Sequence, residues 1–193
     1  MTKTRLEAFS DAVIAIIMTI MVLELKPIPD ATWHGLSELR HVFLSYIVSF
    51  VMLGIYWGNH HHLIHTIKEV RGGIIWANLH LLFWLSLIPF VTAWTAENHF
   101  EKKTVAMYAL IADLCGIAYY ILLTIIKNCN PGNEKLLDLL RKQSRKGMIS
   151  CILYTVAIGA SFIHEAIGGA LIILVAIMWL IPDRNIERSL HDG

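Results

Sequence analysis

The sequence predicts an all-α integral membrane protein, and three observations carry that expectation. Of the 193 residues, 56% are hydrophobic and 16% charged, with a mean hydropathy of +0.58, above the balance of an ordinary soluble domain. The apolar residues gather into six runs, each near the ~20 residues that a helix needs to cross a bilayer. Lys and Arg are shared unevenly between the segments that join them. Six spans leave no room for a soluble catalytic domain, and a net charge of +1 points to no nucleic-acid partner.

The first span, 6–25, is entered from Lys3 and Arg5 and stopped at Lys26-Pro27-Ile28-Pro29-Asp30, because proline lacks the amide that a helix needs. A charged start before an apolar run resembles a secretory leader, but no small-residue cleavage site follows, so a retained helix is expected. The second span is 41–58. The third, 74–96, contains Pro89 and is expected to kink there. The fourth is 104–126. The fifth, 148–164, and the sixth, 166–181, meet at Glu165 and must form a tight hairpin, which Pro182 closes. Between the fourth and fifth, the segment Glu134 to Arg145 interleaves Leu136, Leu137, Leu139 and Leu140 with charges. That pattern suits a short helix lying on the membrane surface, or a connector packed on the bundle. No repeat relates the two halves, and residues 1–193 are expected to form a single six-helix unit.

Orientation follows from the basic residues, which favour the cytoplasmic side. The two termini, the second-to-third loop and the fourth-to-fifth loop together hold twelve Lys and Arg, and the opposite loops hold four. Both termini are therefore expected to be cytoplasmic. Cys115, Cys129 and Cys151 are odd in number and lack metal-finger spacing, so they imply no disulfide framework. No cofactor is expected.

Ionisable groups within spans are costly and suggest function. Here they are few: Asp113 in the fourth span, Arg5, Glu7 and Asp11 near one end of the first, and Glu24 near its other end. Between Ala12 and Leu23 the first span is uncharged. At 100° per residue, Ile16, Ile20 and Leu23 fall on one stripe with Thr19 at its edge, while Asp11 lies about 140° from Ile16. Such a stripe is a packing surface for helices or lipid, or else the wall of a pore; in the second case Asp11 faces the bundle. Glu24 is either one member of a carboxylate ring or a solvated helix-end charge beside Lys26.

The topology also gathers polar groups in one layer. Arg5, Ser10 and Asp11 begin the first helix there, Trp57, Asn59, His60, His61 and His62 end the second, and Trp76, Asn78 and His80 begin the third. Buried polar groups need partners, so a network joining these helix ends and fixing the first helix is expected. The histidines could instead hold a metal, since His61 and His65 share a helix face. The cluster contains no carboxylate, however, and the nearest in sequence is Glu69, so a structural network is preferred and no metal is expected.

Arg5-x-x-x-Phe9-Ser10-Asp11 resembles the R-x-x-x-F-S-D signature of the transmembrane protein 175 family, the lysosomal potassium channels and their bacterial relatives. The likeness continues through Asp11 to Thr19, Trp57-Gly58-Asn59-His60-His61-His62 and Asn78-Leu79-His80. With one six-helix unit rather than two, the chain is similar to the bacterial members. The resemblance implies a leak-like potassium channel in the bacterial inner membrane, not an enzyme, formed by four copies around an axis lined by the first helices. It also implies a narrow aliphatic ring at Ile16, further layers at Ile20 and Leu23, and a hydroxyl position at Thr19. Arg5, Phe9, Ser10 and Asp11, with Trp57, His60, His61, Asn78 and His80, would steady that helix.

The chain contains no T-V-G-Y-G segment, whose carbonyls replace an ion's hydration shell in ordinary potassium channels. Selection by dehydration at Ile16, with gating by dewetting, is the expectation that follows. The alternative is a small secondary transporter coupled to protons through Asp11 or Asp113, against which stand the missing repeat and the dry stripe.

Overall fold

The computed structural model describes residues 1–25, 32–129 and 134–180, with the side chain of Lys135 excepted. The expected stop at Lys26 to Asp30, the closing Pro182, and the basic residues of the C-terminus lie outside the described residues. Eight helices occur among those described: α1 (Lys3–Leu23), α2 (Trp33–Glu38), α3 (Arg40–His65), α4 (Gly72–Leu85), α5 (Ile88–Glu97), α6 (Lys102–Asn128), α7 (Glu134–Ile163) and α8 (Glu165–Leu180). Five spans are long and apolar enough to cross a membrane, with α4 and α5 counted together, and α8 is a shorter apolar helix. The protein is an all-α integral membrane protein with six membrane helices.

Helix α6 is the centre of the bundle, packing against α4, α5, α7 and α8. Helix α1 lies at the margin against α3, α4 and α5. It buries only Leu6, Ser10, Ile14, Ile17 and Met21, whose spacing of three and four draws one narrow stripe along it.

Three expectations change in detail, and one helix is added. The second span extends to His65, since nothing in Gly58 to His65 forbids a helix, and the histidine cluster thereby becomes helical. The third span is broken rather than bent: α4 ends at Leu85 and α5 restarts at Ile88 with Pro89 in its first turn, where a missing amide costs nothing. The short helix α2, started by Thr32 accepting from the Gly35 amide at 3.1 Å, occupies the first connection. Finally, of the two readings of Glu134 to Arg145 the packed connector fits: the segment runs without a break into the fifth span as α7. Its Leu140 and Gln143 are buried in line with Tyr154, Ala157 and Ser161 further along the same helix.

Two polar clusters fasten the bundle internally. Thr92 of α5 donates to Ser49 of α3 at 2.7 Å, and Ser49 also pairs with the Tyr108 hydroxyl of α6 at 2.7 Å. On α7, Gln143 donates to the Tyr119 hydroxyl of α6 at 2.6 Å and to Asn59 of α3 at 3.3 Å. At the end of α5, His99 (φ 48°) and Phe100 (φ 61°) turn left-handed. Their amides return to Ala96 at 3.1 Å and Thr95 at 2.9 Å, which satisfies carbonyls that the helix leaves open.

Helices α7 and α8 turn about His164 alone and pack together through small residues. A Cβ at Gly168 would collide with Ser161 Oγ, and would meet Ser161 Cβ at 3.0 Å and the Ala157 carbonyl at 3.2 Å. The hydroxyl can rotate away only by giving up its 2.7 Å bond to that carbonyl, and the other two atoms cannot move without parting the helices. Gly168→Ala is therefore expected to destabilise the protein by about 1–3 kcal/mol, the usual cost of overpacking. Gly169, with nothing near its absent Cβ, serves as the control: Gly169→Ala should be neutral or stabilising. Thermal unfolding of the two variants in detergent measures the difference.

Candidate functional site: the two faces of the first helix

Helix α1 divides its surroundings by side. On the open side, Phe9 (48% exposed), Ile16 (56%), Ile20 (42%) and Leu23 (75%) have no covering helix in the isolated chain. Ala12 and Thr19 share this exposure. Thr19 turns its hydroxyl proton back to the Ile16 carbonyl at 2.8 Å, leaving its lone pairs outward. Beside the stripe lies a groove of about 740 Å³, lined by Ile16, Ile20, Glu24, Phe90, Trp94 and Glu97 among others.

The other side is held by polar contacts, and these form two separate rows. The buried row runs from α3 through α4 to α1: His60 Nε2 meets Asn78 Oδ1 at 2.7 Å, and Asn78 Nδ2 donates to Ser10 Oγ at 2.9 Å. Ser10 in turn donates to the Leu6 carbonyl at 2.8 Å. Because an amide oxygen only accepts, His60 carries its proton on Nε2. Its Nδ1 is buried without a partner. Ser10 and Asn78 are both 0% exposed and His60 1%, so every bond in this row is made out of reach of water.

The second row lies at the surface between α1 and α3, which run antiparallel here. Trp57 Nε1 donates to Asp11 Oδ1 at 3.0 Å. One turn earlier on α1, Glu7 Oε1 lies 3.1 Å from His61 Nδ1 and 3.0 Å from His65 Nε2. One turn earlier again, Lys3 Nζ donates to the His65 carbonyl at 2.6 Å, closing the C-terminus of α3 with a cation, as its dipole favours. Positions 3, 7 and 11 thus engage 65, 61 and 57 in reverse order.

Of the residues expected in the steadying network, Ser10, Asp11, Trp57, His60, His61 and Asn78 are brought together. Three are not. Phe9 lies about 20° from Ile16 at 100° per residue and falls on the open stripe. Arg5 is exposed, with no side-chain partner among the described residues. His80 is exposed and accepts from Trp84 of its own helix at 2.8 Å, because its position on α4 turns it away from Asn78. Asp113 lies apart, between α6 and α7, accepting from Thr155 at 2.9 Å. Sequence reasoning passed over the pairing of Glu7 with His65; the signal was the matched four-residue spacing of Glu7 and Asp11 on one helix and of Trp57, His61 and His65 on the other.

Comparison with known proteins places this arrangement among relatives. The family model described as the endosomal/lysosomal potassium channel TMEM175 matches residues 5–89, which contain α1 from Arg5 onward, the buried row, the second row except Lys3, and the α4–α5 break. A protein named as a potassium channel from Chryseobacterium sp. (strain P1-3) is 49% identical over 100% of both chains. Another so named, from Streptomyces collinus, is 32% identical over 61% of each. The crystal structure of a lysosomal potassium-selective channel TMEM175 homologue from Chamaesiphon minutus superposes with a TM-score of 0.83, at 25% identity, covering 95% of this chain and 97% of that one.

Proposed function

Since the chain belongs to the TMEM175 family, we propose that it is a potassium channel whose ion path is lined by the open stripe of α1. The observation that carries this reading is the division of α1. Its inner stripe is tied into the bundle by two polar rows, while Ile16, Ile20 and Leu23 are left uncovered along a stretch that carries no charge between Ala12 and Leu23. One stripe cannot enclose a path, so several copies are required, and four around a common axis is the assembly we infer. The groove beside Ile16 then receives part of the next copy.

Aliphatic side chains offer no oxygen to replace an ion's water. A ring of Ile16 works by making ions shed part of their hydration, which costs the more strongly hydrated sodium ion more than potassium. Ile20 and Leu23 form wider layers beyond it, Thr19 adds hydroxyl oxygens, and Glu24 stands at the outer end of α1. The bias of basic residues supports both termini in the cytoplasm of a bacterial cell, with residues 1–193 acting as one six-helix unit. Coupled transport through Asp11 or Asp113 finds no support: Asp11 is engaged by Trp57, Asp113 lies away from α1, and the bacterial relatives are named potassium channels.

In liposomes with potassium on one side and sodium on the other, the purified protein is expected to hold a reversal potential close to the potassium limit. Flux that requires a proton gradient would overturn the reading in favour of a transporter. Crosslinking in detergent is expected to proceed to a tetramer; a ladder that stops at monomer would remove the channel.

A further inference from the structure

We propose that Glu7, His61 and His65 form a binding site for a divalent transition-metal ion of the zinc(II) type, which bridges α1 to the last turns of α3. Two imidazole nitrogens and one carboxylate oxygen, drawn from two helices, lie within 4.8 Å of one another. A tetrahedral zinc with bonds of about 2.0–2.1 Å holds its ligand atoms about 3.3 Å apart. The separations of Glu7 Oε1 from His61 Nδ1 and His65 Nε2, 3.1 and 3.0 Å, are within a few tenths of that spacing.

A second observation points to a ligand. His61 Nδ1 is a buried atom with no hydrogen-bond partner, although a carboxylate oxygen lies 3.1 Å away. The two atoms are close, but the ring nitrogen is not aimed along a hydrogen bond. Two electron-rich atoms in that relation call for a positive centre between them, and a metal ion in contact with both supplies one. His61 and His65 are an i, i+4 pair on α3, with ring centroids 4.5 Å apart, the spacing at which one helix offers two imidazoles to one ion.

The chemistry selects among ions. Two imidazoles and one carboxylate favour zinc and its first-row neighbours over magnesium or calcium, which prefer oxygen. The side chains of His61 and His65 are 38% and 44% exposed and that of Glu7 19%, so an ion can enter from solvent and water completes its coordination. Lys3 brings one positive charge to this corner through its bond to the His65 carbonyl, and Asp11 one turn away offsets it. The consequence for α1 is mechanical: the contact between Glu7 and α3 changes from a pair of weak polar contacts to a coordinate cross-link nine residues before Ile16.

Zinc(II) is titrated by calorimetry into the untagged 193-residue chain in detergent, with magnesium as the comparison ion and Glu7→Gln and His65→Ala as variants. Wild type is expected to bind one zinc per chain that magnesium does not reproduce, and each variant to bind at least tenfold more weakly. Cobalt(II) should give the visible absorption of a tetrahedral nitrogen and oxygen site in wild type alone. Glu7→Cys, which keeps a ligand at the same place, should retain binding, and covers the case in which Glu7→Gln does not fold. The site is overturned if wild type shows no saturable zinc binding, or if the isotherms of wild type and His65→Ala coincide, as they would were zinc held by other histidines.

Discussion

Replacing Ile16 with asparagine is expected to collapse the reversal potential between potassium and sodium to near zero. Each tenfold in permeability ratio is worth about 1.4 kcal/mol, or about 60 mV at ~2.3 kcal/mol per 100 mV. The amide matches the size of a shortened isoleucine but brings an oxygen and two N–H groups to the narrow layer. These can stand in for lost water, so the penalty that distinguishes sodium from potassium largely disappears. The substitution should not disturb the fold, because Ile16 is 56% exposed and the α1 core residues Leu6, Ile14, Ile17 and Met21 face the other way. Ile16→Leu keeps the layer apolar and should keep most of the selectivity. Reversal potentials of the three proteins in liposomes decide the matter. An Ile16→Asn channel as selective as wild type would place the filter elsewhere.

The membrane class and the six apolar runs were legible in the sequence because a bilayer demands uninterrupted hydrophobic length, and length is a local property. The open stripe was legible too, since a helix converts spacing into direction without reference to any neighbour. Phe9 belongs to it by the same arithmetic, but its place within a polar motif hid its phase. The unity of α7 was less plain. Its buried positions Leu140, Gln143, Gly147, Ser150, Tyr154, Ala157 and Ser161 step by three and four without a break, yet two are glycine or glutamine, and the charges between them read as a surface segment. What could not be read was the meeting of Glu7 with His61 and His65. The histidine run itself contains no carboxylate, and sequence distance is a poor guide across a helix pair: the group that meets it sits 54 residues before His61 on the antiparallel neighbour. His80 shows the converse: a residue two positions from a network member points about 200° away from it on a helix, and it bonds to Trp84 instead.

Asn78→Leu is expected to cost about 3 kcal/mol of stability and to loosen α1. Leucine has nearly the shape of asparagine, so the loss is one of hydrogen bonds rather than of packing. Asn78 gives one bond to Ser10 and receives one from His60, all within the dry interior. Leaving a buried donor or acceptor unpaired costs about 1–3 kcal/mol, and the two partners do not suffer alike. Ser10 still donates to the Leu6 carbonyl, whereas His60, whose Nδ1 is already unpartnered, would keep no hydrogen bond at all among the described residues. His60 therefore bears most of the penalty, and removing it should return most of the stability: replacing both members of a buried pair by apolar groups is close to neutral. His60→Leu combined with Asn78→Leu is accordingly expected to be more stable than Asn78→Leu alone, a non-additivity of the size seen between residues in direct contact. Thermal unfolding of the single and double variants in detergent measures the coupling. Simple addition of the two losses would show that the buried row does not act as a unit in holding α1.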